Sequence, residues 1–204
     1  MNVRYIFFAA LLVVLGAGLF LIPEKTNTNE MAPEKLHAEL FDQTRYVSTD
    51  EVAERIINQD PSLFLVDVRM ADFYGEYSLP GAANIPLEEL LSPDWKGYLT
   101  QEHMDVVFYS NGDIYAEQAW MLANRMGYKN LYIMKGGLNC WFETIIKPVM
   151  PEQTASNTEI DLYEFRKGAS QYFTGGDLVS SDQGTTEPVI VSRKKKSSAV
   201  EGGC

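Results

Sequence analysis

Ser110-Asn111-Gly112-Asp113 is a short polar loop, and two thiols, Cys140 and Cys204, follow it along the chain. The loop is preceded by Val106-Val107-Phe108-Tyr109, an apolar, β-rich run of the kind covered on both faces in a sheet. From Ile114 onward the apolar residues take helical spacing: Ala119, Leu122, Ala123 and Met126 share a face, and Gly127 stands where a C-cap is expected. A strand, a tight loop and a helix in that order place the loop at the carboxyl end of a strand, where open α/β sheets bind ligands. Backbone N–H groups at the start of the helix favour an anion there. The site candidates are therefore Ser110, Asn111, Gly112, Asp113, Ile114 and Tyr115. Asp113 is also a good N-cap for the helix to Met126, and its charge opposes an anion.

The remaining chemistry-bearing residues are few. His37 and His103 are not at metal-ligand spacing with Cys140 or Cys204, so neither a structural zinc site nor any other cofactor is indicated. Cys140 falls in the first turn of a helix, and a small packed residue is its ordinary role. Cys204 ends a Gly-Gly-Cys sequence and is the second candidate thiol. A net charge of −11 excludes a basic face able to neutralise nucleic-acid phosphates.

The elements that must position these residues are readable in order. Residues 1–23 contain an uncharged apolar run from Tyr5 to Pro23, preceded by Arg4. About 19 residues at 1.5 Å each nearly cross a ~30 Å hydrocarbon core. The expectation is a single-pass anchor with the domain on the exported, periplasmic side. A cleaved signal peptide using Gly16-Ala17-Gly18 is the alternative. Residues 24–45 are polar, carry Pro33 and read as a linker. The folded part is expected over residues 46–149. It begins with the capping box Ser48-Thr49-Asp50-Glu51 and a helix bearing Val52, Ile56 and Ile57. Strands are expected at Leu63 to Val68, Val106 to Tyr109 and Asn130 to Met134, with short helices around Leu87 to Leu91 and from Ser92 through Trp95. A last helix opens at Gly136-Gly137 and stops before Pro148. Strands alternating with helices predict a small, doubly wound α/β domain with a parallel sheet. Residues 150–174 form an extension whose helix, Thr158 to Phe173, has Leu162, Phe165, Ala169 and Tyr172 on a stripe, for packing or for a protein partner. Residues 175–204, with the basic run Arg193-Lys194-Lys195-Lys196, are expected to be a disordered tail.

Four pieces in this order name a family: Leu65-Val66-Asp67-Val68-Arg69; Leu79-Pro80-Gly81-Ala82 with Asn84-Ile85-Pro86; Val106-Val107-Phe108-Tyr109 before the loop; and Lys135-Gly136-Gly137 with Trp141. From about Tyr46 to Val149 the chain resembles a single rhodanese-like domain. The resemblance implies sulfurtransfer: a cysteine directly after the central strand takes a sulfane sulfur, becomes a persulfide and passes the sulfur to a thiol. Active members follow that cysteine with two residues, often a glycine, one residue and an arginine. Here Ser110 stands at the nucleophile position, Asp113 where the glycine is common, and Tyr115 where the arginine belongs; Ser78 replaces a frequent histidine. A hydroxyl cannot carry a persulfide, and its pKa is too high for a free alkoxide without a base. The expected function is a non-catalytic, membrane-anchored binding or sensing module that meets a protein partner or a sulfane-sulfur donor. The alternative is a sulfur or redox relay on Cys204 or Cys140.

Overall fold

In the computed structural model, residues 3–20 and 30–175 are described. They fall into two units, divided after Glu30. The first unit holds α1 (Val3–Phe20), an 18-residue helix whose apolar side chains, Phe7 and Leu12 among them, are exposed. Among the described residues no helix is long and apolar enough to cross a membrane. This overturns the expected single-pass anchor and, with it, the exported placement of the domain. At 1.5 Å per residue α1 rises only about 27 Å, and Arg4 sits in its first turn, so its uncharged part falls short of a ~30 Å core.

The second unit is built on a five-stranded, fully parallel sheet. Its strands are β1 (Tyr46–Val47), β2 (Leu63–Asp67), β3 (Ala83–Asn84), β4 (Asp105–Tyr109) and β5 (Leu131–Met134), in the order β1-β5-β4-β2-β3. β4 is central, in register with β2 from Leu63↔Asp105 to Asp67↔Tyr109. Its side chains alternate between two cores, as the two-residue period of a strand requires. Val107 and Tyr109 join Leu65, Met134 and Trp141 on one face; Val106 and Phe108 join Ile133, Ala119 and Trp120 on the other. With both faces covered, only an apolar run fits this strand.

The helices are α2 (Pro33–Leu40), α3 (Thr49–Ile57), α4 (Ala71–Glu76), α5 (Pro93–Leu99), α6 (Asp113–Arg125), α7 (Gly137–Trp141) and α8 (Asn157–Thr174). α3 starts where the sequence places it, with the Ser48 Oγ accepting from the Glu51 N–H at 3.1 Å. α7 widens into a π turn over Phe142–Ile146 before Pro148. The segment expected to be a linker contains α2, and its Leu36 and Leu40 pack against the second core. Met31 is buried, and its N–H donates to the Arg125 carbonyl at 2.9 Å. The polarity that suggests a tether belongs to the outer face of this helix.

α8 has a capping box at Ser156 and Glu159. It docks through Phe165, Ala169 and Phe173, spaced four apart, while Leu162 and Tyr172 of the expected stripe are exposed. Arg166 grips Asp50 of α3 with two bonds of 2.7 Å. The expected tail beyond Gly175, with Arg193–Lys196 and Cys204, lies outside the described residues.

Candidate functional site

β4 ends at Tyr109 and α6 begins at Asp113, so Ser110-Asn111-Gly112 is the whole connection. The next crossover closes over it. The Leu138 N–H donates to the Ser110 carbonyl and the Asn139 N–H to the Asn111 carbonyl, each at 2.9 Å. Gly137 makes this approach possible. Its φ is +57°, and a Cβ there would stand 2.5 Å from the Ser110 carbonyl oxygen and 2.9 Å from the Gly112 nitrogen.

Ser110 is 2% exposed, and its Oγ donates to the Gly112 carbonyl at 3.3 Å. Asn111 is exposed at the surface of the loop, and its Oδ1 accepts from Arg69 Nη1 at 3.0 Å. Arg69 is the cation that reaches the loop. It is buried and already committed: its Nε lies 2.9 Å and its Nη2 2.6 Å from the Asp67 carboxylate, and Nη2 also donates to the Tyr77 carbonyl at 2.6 Å. The guanidinium is thus neutralised on the spot and braces the loop rather than offering charge to a ligand. Tyr109 is held the same way. Its OH accepts from the Leu79 N–H at 3.1 Å, and burial, then the neighbouring Asp67 charge, pushes its phenol well above the ordinary range.

Asp113 differs from its expected role. Gly112 is the N-cap of α6, with no side-chain cap. The Asp113 carboxylate instead accepts the Gly136 N–H at 2.5 Å and ties the loop to the turn after β5. That long-range bond explains a carboxylate where a small residue is common, and it sets a negative charge at the positive end of α6. Replacing Asp113 with Ala leaves the part-buried Gly136 N–H without its acceptor. The expected cost is about 1–3 kcal/mol in urea unfolding, with the Gly136 amide losing hydrogen-exchange protection.

Ile114 and Tyr115 are 71% and 57% exposed, so Tyr115, at the arginine position, points no positive charge over the loop. Cys140 is half-buried beside Gly136, and the Thr144 hydroxyl donates to its carbonyl at 2.7 Å. The α7 side chain that meets Gly112 is Asn139, whose Nδ2 is 4.0 Å from a Cβ placed there. The Cys140 Sγ lies 3.3 Å from a Cβ placed on Gly136, the residue whose N–H the Asp113 carboxylate accepts. The structure gathers Ser110 through Tyr115 at one strand end. Cys204 lies outside the described residues. Among the described residues no group of three or more His, Cys, Asp and Glu is placed to hold a metal.

The Asp67–Arg69 brace, the Asp113–Gly136 bond and Asn139 were not read from the sequence as parts of the site; Asp67 and Arg69 carried a signal only as part of a strand motif. A cavity of about 280 Å³ was also missed. It lies at the opposite sheet edge, before β1 and β5, against Arg45, Trp120 and Lys129. The Arg45 guanidinium sits over the Tyr46 and Trp120 rings, 4.7 and 5.2 Å from their centroids.

Residues 48–144 match the family model described as Rhodanese-like domain. No curated protein matches the chain. Among solved structures, the BH2092 protein from Bacillus halodurans is 21% identical, with 54% of this chain and 80% of that one covered at a TM-score of 0.45. A rhodanese-like domain from Anabaena sp is 24% identical, with 55% and 88% covered at 0.43. A protein of unknown function from Rhodopseudomonas palustris, titled a possible tyrosine phosphatase, is 20% identical, with 59% and 93% covered at 0.45. The family's match takes in β2 to β5, four of the five strands of the parallel sheet, with the helices between them, so residues 48–144 of this chain are matched as a rhodanese-like domain.

Proposed function

We propose that this rhodanese-like domain is a binding or sensing module and that its loop does not transfer sulfur. The observation that carries this is Ser110: an oxygen at the nucleophile position, 2% exposed and spent on the Gly112 carbonyl. Three conditions for persulfide chemistry are missing together. There is no sulfur on the loop, the nearby guanidinium is neutralised by Asp67, and Asp113 sets a negative charge at the helix start where an anionic donor would bind.

The test is a thiosulfate–cyanide sulfurtransferase assay on the full chain. Its turnover is expected at the level of the protein-free blank, and Ser110→Cys alone is expected to stay there, because Tyr115 supplies no cation for the donor. A rate that survives Ser110→Ala and disappears with Cys140→Ser or Cys204→Ser would reject this reading in favour of a relay on that thiol. Mass spectrometry after exposure to a persulfide donor would then place the added sulfur.

A further inference from the structure

α6 is the helix that leaves the loop, and its exposed positions are Ile114, Tyr115, Gln118, Met121 and Leu122. None of them carries a charge. Ile114 and Tyr115 are 71% and 57% exposed, Met121 and Leu122 38% each. At 3.6 residues per turn the five lie within an arc of about 120°, so one side of one helix presents them together. A solvated helix face ordinarily carries charge, as α3 does with Glu51 and Glu54 and α8 with Glu159, Asp161 and Glu164. The two charges at the ends of the stripe are engaged within the fold: Asp113 with the Gly136 N–H, and half-buried Arg125 with the Met31 carbonyl.

The spacing of this stripe is its own mirror. Ile114 and Tyr115 stand four and three positions before Gln118, and Met121 and Leu122 three and four after it. A two-fold axis at Gln118 therefore lays two copies of α6 antiparallel, with Ile114 and Tyr115 of each on Met121 and Leu122 of the other. The two Gln118 amides meet at the axis, where each offers its mate a donor and an acceptor. Opposed directions also set the positive end of one helix beside the negative end of the other. The area suits a second copy. The four apolar side chains leave on the order of 400 Å² open, as much as the largest patch on an ordinary monomer. Two copies with their flanks reach roughly 1,000 Å², where specific but weak interfaces begin.

We infer that two copies of this chain pair through α6, antiparallel about Gln118. Ile114 and Tyr115 directly follow Asp113, so the interface borders the loop and the second copy flanks it.

Sedimentation of the full chain from about 1 μM to about 1 mM spans the dissociation constants of so small an interface. Expected is a reversible monomer–dimer equilibrium. Gln118→Lys, an exposed change that sets like charges at the axis, should weaken it about tenfold or more and leave urea unfolding unaltered. In a Cys140→Ser/Cys204→Ser background, Gln118→Cys should cross-link copy to copy on mild oxidation several-fold faster than Gln171→Cys, which is exposed on α8. Mixing Tyr115→Cys with Leu122→Cys copies should give more mixed dimer than random pairing. A chain monomeric throughout, a dimer that Gln118→Lys does not weaken, Gln118→Cys cross-linking no faster than Gln171→Cys, or an excess of Tyr115→Cys like pairs would each overturn the assignment. The sulfurtransferase assay reads the loop independently, and either of its outcomes leaves the pairing standing.

Discussion

Gly137→Ala is expected to lower stability by about 2–4 kcal/mol, although it adds a single methyl group. Two costs combine. The backbone at Gly137 has φ +57°, which an alanine adopts only under strain. The added Cβ would also stand 2.5 Å from the Ser110 carbonyl oxygen and 2.9 Å from the Asn111 carbonyl carbon. Those are backbone atoms and cannot swing away like the end of a side chain. Relief requires α7 to withdraw from the loop, which lengthens the Leu138–Ser110 and Asn139–Asn111 bonds. Urea unfolding measures the loss, and shifted amide resonances at Ser110 to Gly112 report the displaced loop. A Gly137→Ala protein as stable as the parent, with unmoved loop amides, would show that this contact does not hold the site together.

Asp67→Ala is expected to cost about 3–5 kcal/mol. The reason is what it leaves behind. The Arg69 side chain is only 8% exposed, and its ion pair with Asp67 has an N–O distance of 2.6 Å. Without Asp67 a charged guanidinium stays buried against neutral acceptors, the Tyr77 carbonyl and Asn111 Oδ1. The Arg69 backbone N–H also loses its 3.0 Å bond to Asp67 Oδ1. Adding Arg69→Met to Asp67→Ala removes the stranded charge and is expected to restore part of the stability. A double mutant as unstable as the sum of the two single changes would mean that the pair acts through separate contacts. Asn111 should become more mobile in the Arg69→Met single mutant, which removes the donor of its 3.0 Å bond.

The loop was readable because strand and helix periods differ. Val106–Tyr109 is apolar at every position and Ala119, Ala123 fall four apart, so the polar residues between them had to be the turn at a strand end. The roles inside the turn were less accessible. Asp113 at a helix start looks like a cap, and only the fold brings Gly136, 23 residues later, to its carboxylate at 2.5 Å. Arg69 looked like the end of a strand motif, yet it is the cation that meets Asn111, 42 positions away. The expected stripe on α8 included Leu162 and Tyr172, but docking selects Phe165, Ala169 and Phe173, because the helix turns that face toward Trp141 and the π turn.

The N-terminal run shows a limit of another kind. Hydropathy counts apolar residues through Pro23, whereas α1 is an 18-residue helix with Arg4 inside it. Length in ångströms, not the number of apolar letters, decides whether a helix spans a bilayer.

The strand, loop and helix around position 110, and the oxygen there, follow from local sequence, because each depends on residues a few positions apart; the parallel sheet follows from the alternation of strands and helices along the domain. Whether the Arg69 cation is free, whether Cys140 faces the loop, and where the Asp113 carboxylate points depend on contacts made between crossovers. Those contacts form only when β2, β4 and β5 are side by side, so the chemistry of the loop is set by pairings 23 and 42 residues apart rather than by the loop's own sequence.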